Sequence, residues 1–116
     1  MNARDLCLNL AKYWLYSISM AFRIVLVDEA TDDLSRLSAF RRAAVRDAIE
    51  HHLRHQPRLV SKSRIKRLEE IESPQYRLRV GDLRIFYDIA GGDVIVLSIM
   101  SKEESLRWLR SREKRK

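Results

Sequence analysis

The residues of this chain best suited to chemistry are arginines at alternating positions. They occur in Tyr76-Arg77-Leu78-Arg79-Val80 and Leu83-Arg84-Ile85-Phe86-Tyr87, two runs separated by Gly81-Asp82. Alternating runs joined by a two-residue glycine turn read as a β-hairpin. Such a turn sets the register: Val80 faces Leu83, Arg79 faces Arg84, Leu78 faces Ile85, Arg77 faces Phe86 and Tyr76 faces Tyr87. Tyr76, Leu78, Val80, Leu83, Ile85 and Tyr87 then share one side and pack toward a core. Arg77, Arg79, Arg84 and Phe86 share the other.

Like charges directly opposed in a sheet destabilise it, by an amount comparable to the ~0.2–1 kcal/mol that an opposite-charge pair contributes. Arg79 against Arg84 therefore calls for a compensating group. An anionic ligand would supply it, because guanidinium forks bind phosphate oxygens bidentately, and Phe86 beside Arg77 offers a flat surface for an unpaired base. The alternative is internal: Asp82, Asp88 or the Glu69-Glu70-Glu72 cluster neutralises the arginines, or their side chains splay into water.

Other chemical candidates are weaker. His51 and His55 stand at i, i+4 with His52 between them, yet no glutamate or third ligand is spaced to complete a metal site. Solvent-facing helix residues are the better reading. The chain has no glycine-rich phosphate loop, no nucleophile elbow and no metal-nuclease carboxylate motif.

Several elements must position the hairpin. Phe22 to Val27 reads as a first strand. Asp28 is placed to cap a short helix through about Leu37, with Glu29, Asp32 and Asp33 near its positive end. Ser38 is the next N-cap, and from Phe40 to His55 the residues Phe40, Ala43, Ala44, Ala48, Ile49 and Leu53 recur at helical spacing. Pro57 ends that helix. A short strand is expected near Ile65 to Leu68. Gly91-Gly92 makes a second turn, and Val94 to Met100 is apolar on both faces, as in a strand covered on both sides. Ser101 and Glu104 form a capping box for a last helix through roughly Arg112, with Leu106 and Leu109 directed inward and Trp108 packing on the sheet. The fold class is α+β: an N-terminal strand and helical hairpin packed on an antiparallel sheet, with a short C-terminal helix.

A chain of 116 residues suits one domain with a single core. Its net charge of +7 makes the surface field positive and favours polyanions. Cys7 is the one cysteine, which excludes an internal disulfide framework and a cysteine-based zinc site and fits a reducing cytoplasm. The apolar stretch Leu6 to Ile18 is broken by Asn9 and Lys12, is too short to span a bilayer, and lacks a signal-peptide cleavage pattern. Met20 directly precedes the first strand. Residues 1–19 therefore read as an N-terminal extension or upstream start, and 20–116 as the domain.

Lys66-Arg67-Leu68, then Tyr76-Arg77-Leu78-Arg79-Val80-Gly81-Asp82-Leu83-Arg84-Ile85-Phe86-Tyr87-Asp88-Ile89, then an apolar strand and Lys102, resemble the RelE/ParE superfamily of bacterial type II toxin–antitoxin toxins. The resemblance runs from about Ala21 to Leu109 in element order. It implies a small α+β fold and an antitoxin that wraps the toxin and covers its active face. In the RelE branch it implies cleavage of mRNA in the ribosomal A site without metal or cofactor, by attack of a ribose 2′-OH on the adjacent phosphate. Carried over by position, Arg77, Arg79, Arg84 and Lys102 become the catalytic candidates, and Lys66, Arg67 and Phe86 the RNA-binding ones. The C-terminal helix departs from the pattern: where RNA-cleaving members often place a tyrosine or histidine, this chain has Glu103, Glu104, Leu106 and Trp108. Arginine is itself a poor proton-transfer group. Two other readings stay open on these residues, a ParE-like toxin that inhibits DNA gyrase by binding and an inactive toxin-fold partner of an antitoxin. None of the readings involves a membrane.

Overall fold

The Gly81-Asp82 turn closes the hairpin in the register that its length dictates, with Tyr76 opposite Tyr87, Arg77 opposite Phe86, Leu78 opposite Ile85, Arg79 opposite Arg84 and Val80 opposite Leu83. Gly81 has φ +60°, the left-handed value that the first position of such a turn requires, and Gly91 has φ +58° in the next turn. A computed structural model of the chain describes residues 21–113. The expected extension over residues 1–19 lies outside them.

Five strands form one sheet: β1 (Arg23–Leu26), β2 (Ile65–Arg67), β3 (Tyr76–Val80), β4 (Leu83–Ala90) and β5 (Asp93–Ser101), in the order β1-β5-β4-β3-β2. Neighbours from β5 to β2 are antiparallel, whereas β1 runs parallel to β5. The sheet is thus mixed rather than purely antiparallel, because the helical hairpin carries the chain from β1 away from β5 instead of turning directly back. That hairpin comprises α1 (Asp28–Arg36) and α2 (Ala39–Leu53), and α3 (Lys102–Glu113) follows β5.

The helical hairpin is held by its ends. Val27, not Asp28, occupies the cap position of α1 and makes no side-chain bond; Asp28 and Glu29 act instead as negative charges in the first turn. Ser38 Oγ accepts from the amide of Arg41, as its N-cap position requires. Arg42 donates from its guanidinium to the carbonyls of Leu34, Ser35 and Leu37, so the open C-terminal end of α1 is capped from α2.

Ala30, Val45, Ile49 and Leu53 of the helices pack with Ile65, Tyr76, Leu78, Leu83, Ile85, Tyr87, Ile89, Val94, Val96 and Ile99 of the sheet. Tyr87 is fully buried; its hydroxyl donates to the Pro57 carbonyl at 2.6 Å, its ring stacks on Tyr76 at 5.4 Å, and burial pushes the phenol pKa up. The inward stripe of α2 is Val45, Ile49 and Leu53, while Phe40 is 84% exposed. Phe40 precedes Val45 by five positions, roughly 140° around the helix, which turns it away from the sheet.

On β5 the alternation breaks where Phe86 pairs with Ser98 and Tyr87 with Val96, leaving Leu97 as the extra residue of a bulge. Val94 and Val96 face the core before the bulge, and Ile99 faces it afterwards. Past the end of β1, the Ile99 amide is taken by the Asp33 carboxylate of α1 at 3.0 Å. Asp33→Ala is expected to cost about 1–3 kcal/mol, because it leaves a buried N–H unsatisfied; a urea melt of the variant against the parent chain measures it. Among the described residues no helix is long and apolar enough to cross a membrane.

Candidate nucleic-acid interface

The pleat and the register assemble the second face of the sheet. Residues directly opposite one another share a face, so Lys66, Arg77, Phe86 and Ser98 form one row across β2 to β5, and Arg79, Arg84 and Met100 form the next. Arg67 is opposite Tyr76 and so lies on the core side, its guanidinium 5.0 Å from the Tyr76 ring centre. Adjacent strand residues point to opposite faces, yet Arg67 is exposed and lines one cleft together with Lys66, Leu68 and Leu109.

Helix α3 packs on β4 and β5, at the Phe86 and Ser98 end of the first row. Ser105, Trp108, Leu109 and Arg112 occupy helical spacing i, i+3, i+4, i+7 and are buried or half-buried, while Leu106 is 59% exposed, contrary to the inward direction expected from its type. The Trp108 ring sits 4.9 Å from the Phe86 ring, and the Arg112 guanidinium lies 4.4 Å from the Trp108 centre and donates to the Ser73 carbonyl at 3.1 Å. Phe86 is completely buried by this packing. It cannot serve as an open platform for a base, and its expected role as an RNA contact is corrected accordingly.

The arginines differ in exposure. Arg84 is 6% exposed and donates from Nη1 to the carbonyls of Gly81 and Leu83, both at 2.9 Å, so part of its guanidinium braces the turn. Arg77 is half-buried, and its Nε is buried with no hydrogen-bond partner; Ser98 Oγ, two strands away in the same row, shares that condition. Arg79 is exposed. Burial, then the charges of Arg84 and Arg79, pull the Arg77 pKa down; burial, then Arg79, do the same to Arg84, with Asp82 opposing. All of these guanidiniums stay charged, so the shifts express mutual repulsion and lost hydration.

The internal neutralisation considered from the sequence is largely absent. Asp88 is engaged by Ser73 Oγ at 2.6 Å and the Gln75 amide at 2.7 Å. Asp82 pairs with Arg41 of α2 at 2.5 Å, and that hydrogen bond holds its carboxyl below the ordinary range. Among the described residues the ion pairs are Arg23–Asp93, Arg41–Asp82 and Arg54–Glu50, and none involves Arg77, Arg79 or Arg84. Lys102 opens α3, is exposed, and its amide donates to the Asp82 carbonyl at 2.9 Å. Ser101 and Glu104 cap the helix reciprocally: Ser101 Oγ donates to the Glu104 carboxylate and accepts from the Glu104 amide.

Among the described residues no group of three or more His, Cys, Asp or Glu is placed to hold a metal ion. His51 is exposed and packs its ring edge-to-face with His52 at 4.7 Å. Burial, then His51 and Arg64, lower the His52 pKa. Ser98 and Arg112 are site residues that the sequence reading passed over. Ser98 had a legible signal, as the one hydroxyl within the apolar run Val94 to Met100.

The fold is shared with chains of solved RelE–RelB toxin–antitoxin complexes. The chain aligns with one chain of the RelBE toxin–antitoxin complex from Mycobacterium tuberculosis at TM-score 0.59 and 22% identity, over 70% of this chain and 98% of that one. It aligns with a chain of the RelB–RelE complex from Methanococcus jannaschii at TM-score 0.57 and 20% identity, over 72% and 96%. For the RelE–RelB complex from Pyrococcus horikoshii the values are 0.54 and 20%, over 71% and 96%. A search of curated proteins finds no match. Within the superfamily, the chain belongs to the family of ParE toxins of type II toxin–antitoxin systems, whose model matches residues 24–106.

Proposed function

We propose that this toxin is a ribosome-dependent mRNA endonuclease that inhibits translation in the cytoplasm and is held inactive by a cognate antitoxin covering the arginine face. The observation that carries this reading is the cluster of Arg77, Arg79 and Arg84 without a carboxylate partner among the described residues, while Asp82 and Asp88 are engaged elsewhere. A site that retains uncompensated, partly desolvated cations is built for an anion. The antitoxin follows from family membership and from the likeness to toxins solved in complexes with antitoxins.

In this reaction the ribose 2′-oxygen bonds to the adjacent phosphorus and the bond from phosphorus to the 5′-oxygen breaks. The products are a 2′,3′-cyclic phosphate and a free 5′-hydroxyl, with one proton leaving the 2′-oxygen and one reaching the 5′-oxygen. Negative charge accumulates on the phosphate, where fixed guanidiniums offset it without reorganising. Arginine holds its protons too tightly to serve as the base, and Glu104 is occupied in the helix cap. Lys102 and Glu103 are the exposed titratable groups in the first turn of α3 that are not held in that cap.

Scarcity of proton-transfer groups on the arginine face favours a second reading, inhibition of DNA gyrase by binding alone. Induced expression separates the two. The endonuclease reading expects translation arrest and mRNA fragments cut at ribosomal A sites, mapped by primer extension. Intact mRNA with DNA-damage signalling would establish the gyrase reading, and unaffected growth would sink both in favour of an inactive antitoxin partner.

A further inference from the structure

We propose that a base-reading cleft adjoins the arginine face, and that its carboxylates favour nucleobases bearing an exocyclic amine over uracil. The inference rests on the RNA reading above. The cleft, of about 350 Å³, lies between the chain following β2 and helix α3: Leu68, Ile71 and Leu109 provide apolar walls, and Lys66, Arg67, Glu69 and Glu70 the polar groups.

Register ties this space to the phosphate site. Lys66 pairs with Arg77, so the strand that opens the cleft lies about 4.8 Å from the strand that carries Arg77 and Arg79. That separation is shorter than a nucleotide, and a strand of RNA with a phosphate at Arg77 brings a neighbouring base to the cleft. With Phe86 buried under Trp108, the half-buried side chains of Leu68, Ile71 and Leu109 offer a base its apolar contact on this side of the sheet.

Glu69 and Glu70 supply selectivity. Both are exposed, and neither forms an ion pair among the described residues despite the basic residues beside them in sequence. Ionised carboxylates only accept hydrogen bonds. Cytosine presents an amine at position 4, which donates to a carboxylate, whereas uracil presents a carbonyl oxygen there and is repelled. The two pyrimidines are otherwise alike in size, so the comparison isolates the carboxylates from stacking and from phosphate charge.

The test is fluorescence anisotropy of the purified full chain with 5′-labelled r(CCC) and r(UUU) at fixed low salt. We expect r(CCC) to bind at least about fivefold more tightly. In the double variant E69Q/E70Q the amides both donate and accept, so the difference should vanish while both affinities rise with the loss of negative charge. Equal binding by the parent chain, no binding of either trinucleotide, or a preference that persists in the double variant overturns the proposal. Base preference without cleavage in cells supports the cleft and overturns the endonuclease reading alone; cleavage with equal trinucleotide binding overturns the cleft alone.

Discussion

Arg79→Ala is expected to lower mRNA cleavage by about 100-fold while leaving the thermal melt unchanged, because the side chain is exposed and its loss removes charge from the site without opening the core. Arg79 is the cleanest probe of the face. Arg84→Ala would remove activity too, but Arg84 is buried and bonds to the Gly81 and Leu83 carbonyls, so its loss mixes catalysis with stability. Cleavage measured on translating ribosomes, alongside circular dichroism melts of both variants, separates the contributions. Parent-level cleavage by Arg79→Ala would remove Arg79 from the site.

Phe86→Ala should destabilise the fold by about 3–5 kcal/mol, as expected for truncating a fully buried phenylalanine. That is a large share of the roughly 5–15 kcal/mol that stabilises a typical domain. An exposed base-stacking residue would instead cost within about 0.5 kcal/mol. Equilibrium urea unfolding decides between a structural Phe86 and an open platform. A near-neutral result would mean that α3 does not cover the sheet in solution.

The reasons for legibility differ from residue to residue. The hairpin register was readable because a two-residue turn leaves no freedom in pairing, and every pair from Tyr76–Tyr87 to Val80–Leu83 follows from it. Alternation likewise separated the arginine face from the core face. What alternation cannot say is whether a face is covered by something distant in the chain. Phe86, read as an open surface, is buried by Trp108, twenty-two positions later.

The helices show the same limit. Phe40 and Leu106 were assigned inward by residue type, and both are exposed, because direction follows from the helix's roll against the sheet. In α3 the approach is made by Ser105, Trp108, Leu109 and Arg112, a stripe in which Leu109 is the one aliphatic residue, so a hydrophobicity count understates it. The family match now fixes the class of toxin, and the reaction depends on the experiments above.

The stack of Phe86, Trp108 and Arg112 makes the arginine face optically self-reporting. The chain contains two tryptophans, Trp14 and Trp108, so a Trp14→Phe background leaves one indole, wedged between an aromatic ring and a cation over the very surface of interest. Its emission wavelength and its quenching by iodide would register any ligand or protein that lifts α3 from the sheet, in real time and without an attached dye.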